Sequence, residues 1–174
     1  YKRQHLVETI LIYTILLYGL DIVVGYVGQV SLGHAALFGI GSYTAGVLYF
    51  HFGWTIWGTL PASIIVTSIF GGILALPALK VIGPYLAMVT LAFGTIAQIL
   101  INEMTWMTEG PLGIKIPKPE LMGVPMTKAE YFWMVSAILI LSMIVVDRFV
   151  KSQIGRAFEA LRDSPIACDC MGVS

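Results

Sequence analysis

Charge is scarce in these 174 residues: only 11% are Asp, Glu, Lys or Arg, and ten acidic side chains balance ten basic ones. A soluble domain carries about 25% charged residues. With so few, a body of this size leaves large apolar patches facing water, which excludes a soluble globular enzyme. A net charge of zero supplies no field that draws a polyanion, so nucleic acid is excluded as a partner. Cysteine is nearly absent. Cys168 and Cys170 are one residue apart, too close for an unstrained disulfide, and they form no disulfide framework. Two thiols also fall short of the roughly four ligands of a structural zinc, so they read as small reduced side chains. His5, His34 and His51 lie on separate segments without an HExxH pairing, and there is no GxxxxGK[ST] loop. The chain is therefore expected to be no enzyme, with no metal and no cofactor of its own.

Apolar residues are abundant, at 57%. A bilayer core about 30 Å thick needs roughly 20 helical residues to cross it. By that ruler there are five candidate spans: 6–27, 35–50, 60–79, 85–101 and 129–146. The runs are continuous, without the alternation of a membrane barrel, so the expected fold is all-α: a polytopic transmembrane helix bundle forming a single domain over 1–174. Trp54, Trp57, Trp106, Tyr131 and Trp133 sit at run ends, where amphipathic rings anchor at the headgroups. Segment 102–128 carries Gly110, Pro111, Gly113, Pro117, Pro119, Gly123 and Pro125 and reads as a loop. Segment 147–174 is charged and does not span. Basic residues do not orient the chain: Lys2, Arg3, Lys115, Lys118 and Lys128 share one side, and Lys80, Arg148, Lys151, Arg156 and Arg162 the other. Tyr1 opens directly into a polar stub and Ser174 ends mid-pattern, so a fragment of a longer membrane chain is expected.

Residues 28–34 place Gly28, Gln29, Ser31, Gly33 and His34 at or near membrane depth. Two readings fit equally: a helix break that builds a transport site, or a tight polar turn at the surface. Small residues four apart, Ser31, Ala35 and Gly39, and again Gly41 and Ala45, suit close helix packing. Asp21 is an ionisable group in a span and so a candidate for the pathway, or for a pairing near the interface. In the tail, Arg156, Glu159, Arg162 and Asp163 give a charged helical face, beside an apolar strip of Ile154, Phe158, Leu161 and Pro165. That amphipathic helix suits a groove on another subunit, a membrane surface or a solvated linker.

Residues 25–46 read GYVGQVSLGHAALFGIGSYTAG. This run resembles the signature of the inner-membrane permeases of branched-chain amino acid ABC transporters. Three further segments resemble that family in the same order. Residues 83–94, GPYLAMVTLAFG, are similar to a helix start of the form GxYLAxVTLAFG. Residues 108–117 are similar to an external TGGPxGI…IP loop, with Glu109 where Gly is usual. Ile154 to Asp163, then Ile166, Ala167, Met171, Gly172 and Val173, are similar to a cytoplasmic coupling segment, with Glu159 where a basic residue is common. Asp21 stands where the family usually has Asn.

The resemblance implies an importer subunit that moves leucine, isoleucine or valine by alternating access. It implies a second permease subunit, two cytoplasmic ATPase subunits that bind the ATP, and an external solute-binding protein. It places 102–128 outside and the 147–174 segment in the cytoplasm, in a bacterial-type inner membrane. The substrate pathway is then expected at Gln29, Ser31, His34 and Thr90. Gly28, Gly33, Gly39 and Gly41 would permit the break and the packing. Coupling to the ATPase would fall to Arg156, Glu159, Arg162 and Gly172. The same architecture also suits urea, short amides or another amino acid. A distinct reading is a cofactor-binding membrane subunit of an electron-transfer enzyme, with His34 or His51 as a ligand.

Overall fold

Long apolar runs in hydrocarbon can satisfy their backbone only within themselves, and here they do so as helices. In the computed structural model, residues 2–29, 31–78, 81, 83–110, 113–114, 120–121 and 124–163 are described. The chain divides into two compact units, Tyr1–Val30 with Thr127–Ser174, and Ser31–Met126.

The first unit contains α1 (Lys2–Asp21), which continues into a π-helical turn, Ile22–Tyr26. It also contains α6 (Lys128–Val150) and the short α7 (Gln153–Asp163). α1 packs along α6, and α7 touches both α6 and the π-helical turn. A reciprocal capping box starts α6, in which Glu130 accepts the Thr127 backbone N–H at 2.8 Å. The helix runs past the apolar run 129–146 to include Asp147 and Arg148, because a helix stops where its hydrogen bonding stops and not where its hydropathy falls. Lys151 pairs with Asp147 at 2.8 Å one turn back, with both side chains exposed. The hydroxyl of Ser152 then accepts the Gly155 N–H at 3.4 Å and so caps α7.

The second unit contains α2 (His34–Phe52), α3 (Ile56–Ala78), α4 (Pro84–Glu103) and the single turn α5 (Thr105–Thr108). A two-residue antiparallel pair follows, β1 (Glu120–Leu121) with β2 (Val124–Pro125), setting Glu120 opposite Pro125. Segment 102–128 is therefore not all loop: it folds locally into α5 and this ribbon. α2 is central and packs against both α3 and α4. Gly53, at φ 64, ends α2, and the Trp54 N–H donates back to the Leu48 carbonyl at 3.3 Å. Pro84 opens α4 behind Gly83, where its missing N–H costs nothing.

Both units turn apolar side chains outward. On α3, Ile64, Ile65 and Leu76 are 65%, 61% and 66% exposed. Hydroxyls inside the helices close onto carbonyls of their own turn, as Thr44 does on Ile40, Ser63 on Leu60 and Ser142 on Leu139. That is the surface and the internal bookkeeping of a protein dissolved in hydrocarbon. Among the described residues, five helices are long and apolar enough to cross a membrane: His5–Tyr26, His34–Phe52, Ile56–Ala78, Pro84–Glu103 and Lys128–Val150. The fold is the all-α multi-pass bundle expected from the runs.

Candidate functional site

The second unit contains a buried polar joint. Thr90 of α4 is 3% exposed. Its hydroxyl donates to the Ala87 carbonyl at 3.0 Å and accepts the Leu32 N–H, also at 3.0 Å. The 31–34 segment is thereby pinned to α4. Gly33 makes the approach possible: a Cβ there would lie 3.1 Å from the Thr90 carbonyl oxygen and 3.2 Å from Leu74. Ser31 and His34 are half-buried beside this joint, with His34 opening α2. Three of the four residues expected on the pathway, Ser31, His34 and Thr90, therefore lie in this unit, and Gln29 lies in the other. Gln29 is exposed. Of the glycines expected to permit packing, Gly41 faces Thr67 of α3 closely, since a Cβ there would stand only 3.0 Å from the Thr67 hydroxyl, whereas a Cβ on Gly39 would meet nothing within 4 Å.

The same unit holds a cavity of about 420 Å³ among α2, α3, α4 and α5. Ile40, Tyr43, Phe70, Phe93, Ala97 and Met107 are in its wall. The two threonines that line it, Thr44 and Thr108, spend their hydroxyls on the Ile40 carbonyl and on the Ile101 and Met104 carbonyls. Such a wall accepts hydrocarbon and offers nothing to the ammonium or carboxylate of a free amino acid. At its α5 end, His51 Nε2 is bonded to the Met107 carbonyl at 3.1 Å, a tie between α2 and α5. Among the described residues no group of three His, Cys, Asp or Glu side chains gathers as a metal site.

The first unit carries the charged face. Arg156 is exposed on α7. Arg162 Nη1 donates to the Gly25 carbonyl at 2.8 Å, across 137 residues of sequence. Gly28, at φ 72, leaves the room: a Cβ there would stand 3.0 Å from Arg162 Cγ. Phe158 meets Phe149 of α6 with ring centroids 5.8 Å apart. The Glu159 side chain and all of Gly172 lie outside the described residues. Asp21 is exposed and lies over Gly25, where a Cβ would come within 2.5 Å of its Oδ1.

Two residues not singled out from sequence emerge here. Gly155 is buried, and a Cβ on it would overlap the backbone carbonyl of Val150. Thr108 is 6% exposed and ties the end of α4 to the following turn through Ile101, Met104 and the Gly110 N–H. The signal for Gly155 was a glycine in the first turn of a helix; Thr108 stood within the loop motif, but its bonds had no sequence signal.

Apolar helices of spanning length with lipid-facing surfaces, and an amphipathic helix fastened to the ends of two of them, define a multi-pass membrane protein. The family model described as the branched-chain amino acid transport system permease component matches residues 5–174, and the chain belongs to that family. It is 36% identical over 189 residues to the high-affinity branched-chain amino acid transport system permease protein LivM of Salmonella typhimurium. The LivM protein of Escherichia coli strain K12 is likewise 36% identical. These alignments cover 94% of this chain and 44% of each relative, so the chain spans less than half the length of the curated relatives it matches. No solved structure matches it.

Proposed function

We propose that this chain is part of the membrane-spanning subunit of an ATP-driven importer of branched-chain amino acids, in a bacterial-type inner membrane. The LivM relatives carry that solute in their names, and the family match covers nearly the whole chain. The observation that carries the mechanism is α7. It is amphipathic, it stands beyond the last span, and it is bonded to the ends of two spans. A helix so placed receives a push from a cytoplasmic ATPase subunit and delivers it to the bundle. Arg156, exposed on α7, with Glu159 and the segment through Gly172, forms the docking contact. The 102–128 segment faces an external solute-binding protein, and a second permease subunit completes the pathway.

Transport then proceeds by alternating access without covalent chemistry in this chain. Gln29, Ser31 and His34 offer polar groups to the solute's charged ends. Thr90 holds their segment in place, since its hydroxyl is committed to Ala87 and Leu32. The test is made on the full-length subunit assembled with its ATPases. Replacing Arg156 and Glu159 together lowers substrate-stimulated ATP hydrolysis and leaves the affinity of the binding protein unchanged. Undiminished stimulation overturns the assignment. Uptake into proteoliposomes, with leucine, urea and short amides in competition, identifies the solute.

A further inference from the structure

We infer that Arg162 is a positioning residue that ties α7 to the π-helical end of the first span, and that it is not part of the surface presented to the ATPase. The inference rests on reading α7 as the coupling helix and assigns its two sides different tasks. With 3.6 residues per turn, Phe158 and Arg162 lie about 40° apart around α7, whereas Arg156 lies about 160° from Phe158. Phe158 packs on Phe149 of α6 and Arg162 reaches the first span, so that face of α7 is turned toward its own subunit. Arg156 is on the other side; both arginines are exposed, and what sets Arg162 apart is its bond to the Gly25 carbonyl.

The acceptor is available because of the π-helical turn. In a continuing α-helix the Gly25 carbonyl would receive the Gln29 N–H. Here the Val27 N–H bonds to the Ile22 carbonyl at 3.2 Å and the Gln29 N–H to the Val23 carbonyl at 3.1 Å. The Gly25 carbonyl is thus left for the guanidinium, at a helix end where a cation is favoured. Gly28 completes the seat. Its positive φ turns the chain away, and its missing side chain lets the arginine stem lie against the backbone. Tied at Gly25 and braced at Phe149, α7 cannot shift without moving the ends of both spans.

The experiment uses the full-length subunit assembled with its ATPase subunits in nanodiscs. Spin labels replace the exposed Val24 and Lys151, and their separation is read at rest and with bound ATP. The native protein gives one narrow distance that shifts on ATP binding. Arg162→Met keeps the stem but not the donor; it broadens the resting distance, halves the ATP-driven shift or more, and lowers transport about tenfold or more. Arg162→Lys, with a donor still present, restores part of each. Gly28→Ala crowds the stem, with its Cβ 3.0 Å from Arg162 Cγ, and strains the left-handed turn without touching the charge; it broadens the resting distance as the Met variant does and serves if that variant does not assemble. Native resting distance and native shift in Arg162→Met, or in Gly28→Ala, overturn the tie. If the Arg156 and Glu159 replacements leave ATP hydrolysis untouched, the coupling reading fails, and the resting distance still decides the tie by itself.

Discussion

Glu109 is the one non-glycine with positive φ among the described residues, at φ 56, closing α5 in the left-handed conformation. An L side chain held there costs about 1–2 kcal/mol. The loop signature this chain resembles has Gly at that place, and the backbone supplies the reason: the turn was shaped for a residue without Cβ. Glu109→Gly is expected to stabilise the second unit by about 1 kcal/mol, seen as a raised Tm in detergent, while Glu109→Ala brings no such gain. No rise with glycine would show that the left-handed turn is not strained. At Thr90 the sequence pointed to the residue but not to its task. The family resemblance put it on the substrate pathway; the structure adds a bond to an amide 58 positions away, and a contact of that separation leaves no local pattern. Thr90→Val keeps the shape and strands the Leu32 N–H, which is expected to cost about 1–3 kcal/mol and to speed exchange of that amide. Thr90→Ser leaves both bonds in place and stays near native; equal losses from Val and Ser would assign the cost to packing instead.

The elements were legible to the extent that they are hydrophobic. Five runs near the length of a bilayer crossing predicted five spans, and five helices stand over them. The ends were not legible in the same way, because they are set by hydrogen bonds: the capping box at Thr127, the left-handed Gly53 and the serine cap at Ser152. The π-helical turn left no trace at all, since it is a change of bonding register within an unbroken apolar run. Amphipathic spacing did reveal α7, though not the angle at which it leaves α6. Gly155 sets that angle, because its Cα passes so close to Val150 that a methyl group has no place. Gly155→Ala is expected to cost about 1–3 kcal/mol as the elbow opens, and to draw Phe158 off Phe149. Hydrogen exchange at the Arg156 amide, bonded to the Ser152 carbonyl at 3.3 Å in the native elbow, should accelerate by tenfold or more. Unchanged protection there would mean that the elbow yields without opening.

For the whole molecule, the side on which each segment lies was the feature least accessible from sequence, because the basic residues divide evenly between the two faces. The first unit resolves the relative directions by packing. α7 has 11 residues and reaches only about 16 Å along its axis. It bonds to Gly25 just beyond α1 and stacks on Phe149 at the last turn of α6, so both spans end on one face. α1 and α6 therefore run parallel. Two parallel spans in one chain must be separated by an odd number of crossings, and α2, α3 and α4 supply three. Local packing in one unit and hydropathy counting in the other thus give the same parity by independent routes. It follows that residue 29 and residue 151, both in the first unit, share a face, and that the exposed Ala129, at the start of α6, is on the opposite one. In sealed vesicles of one orientation, a membrane-impermeant maleimide should label Gln29→Cys and Lys151→Cys from the same side and Ala129→Cys from the other. Ala129→Cys and Lys151→Cys reacting from one side would mean that α6 does not cross.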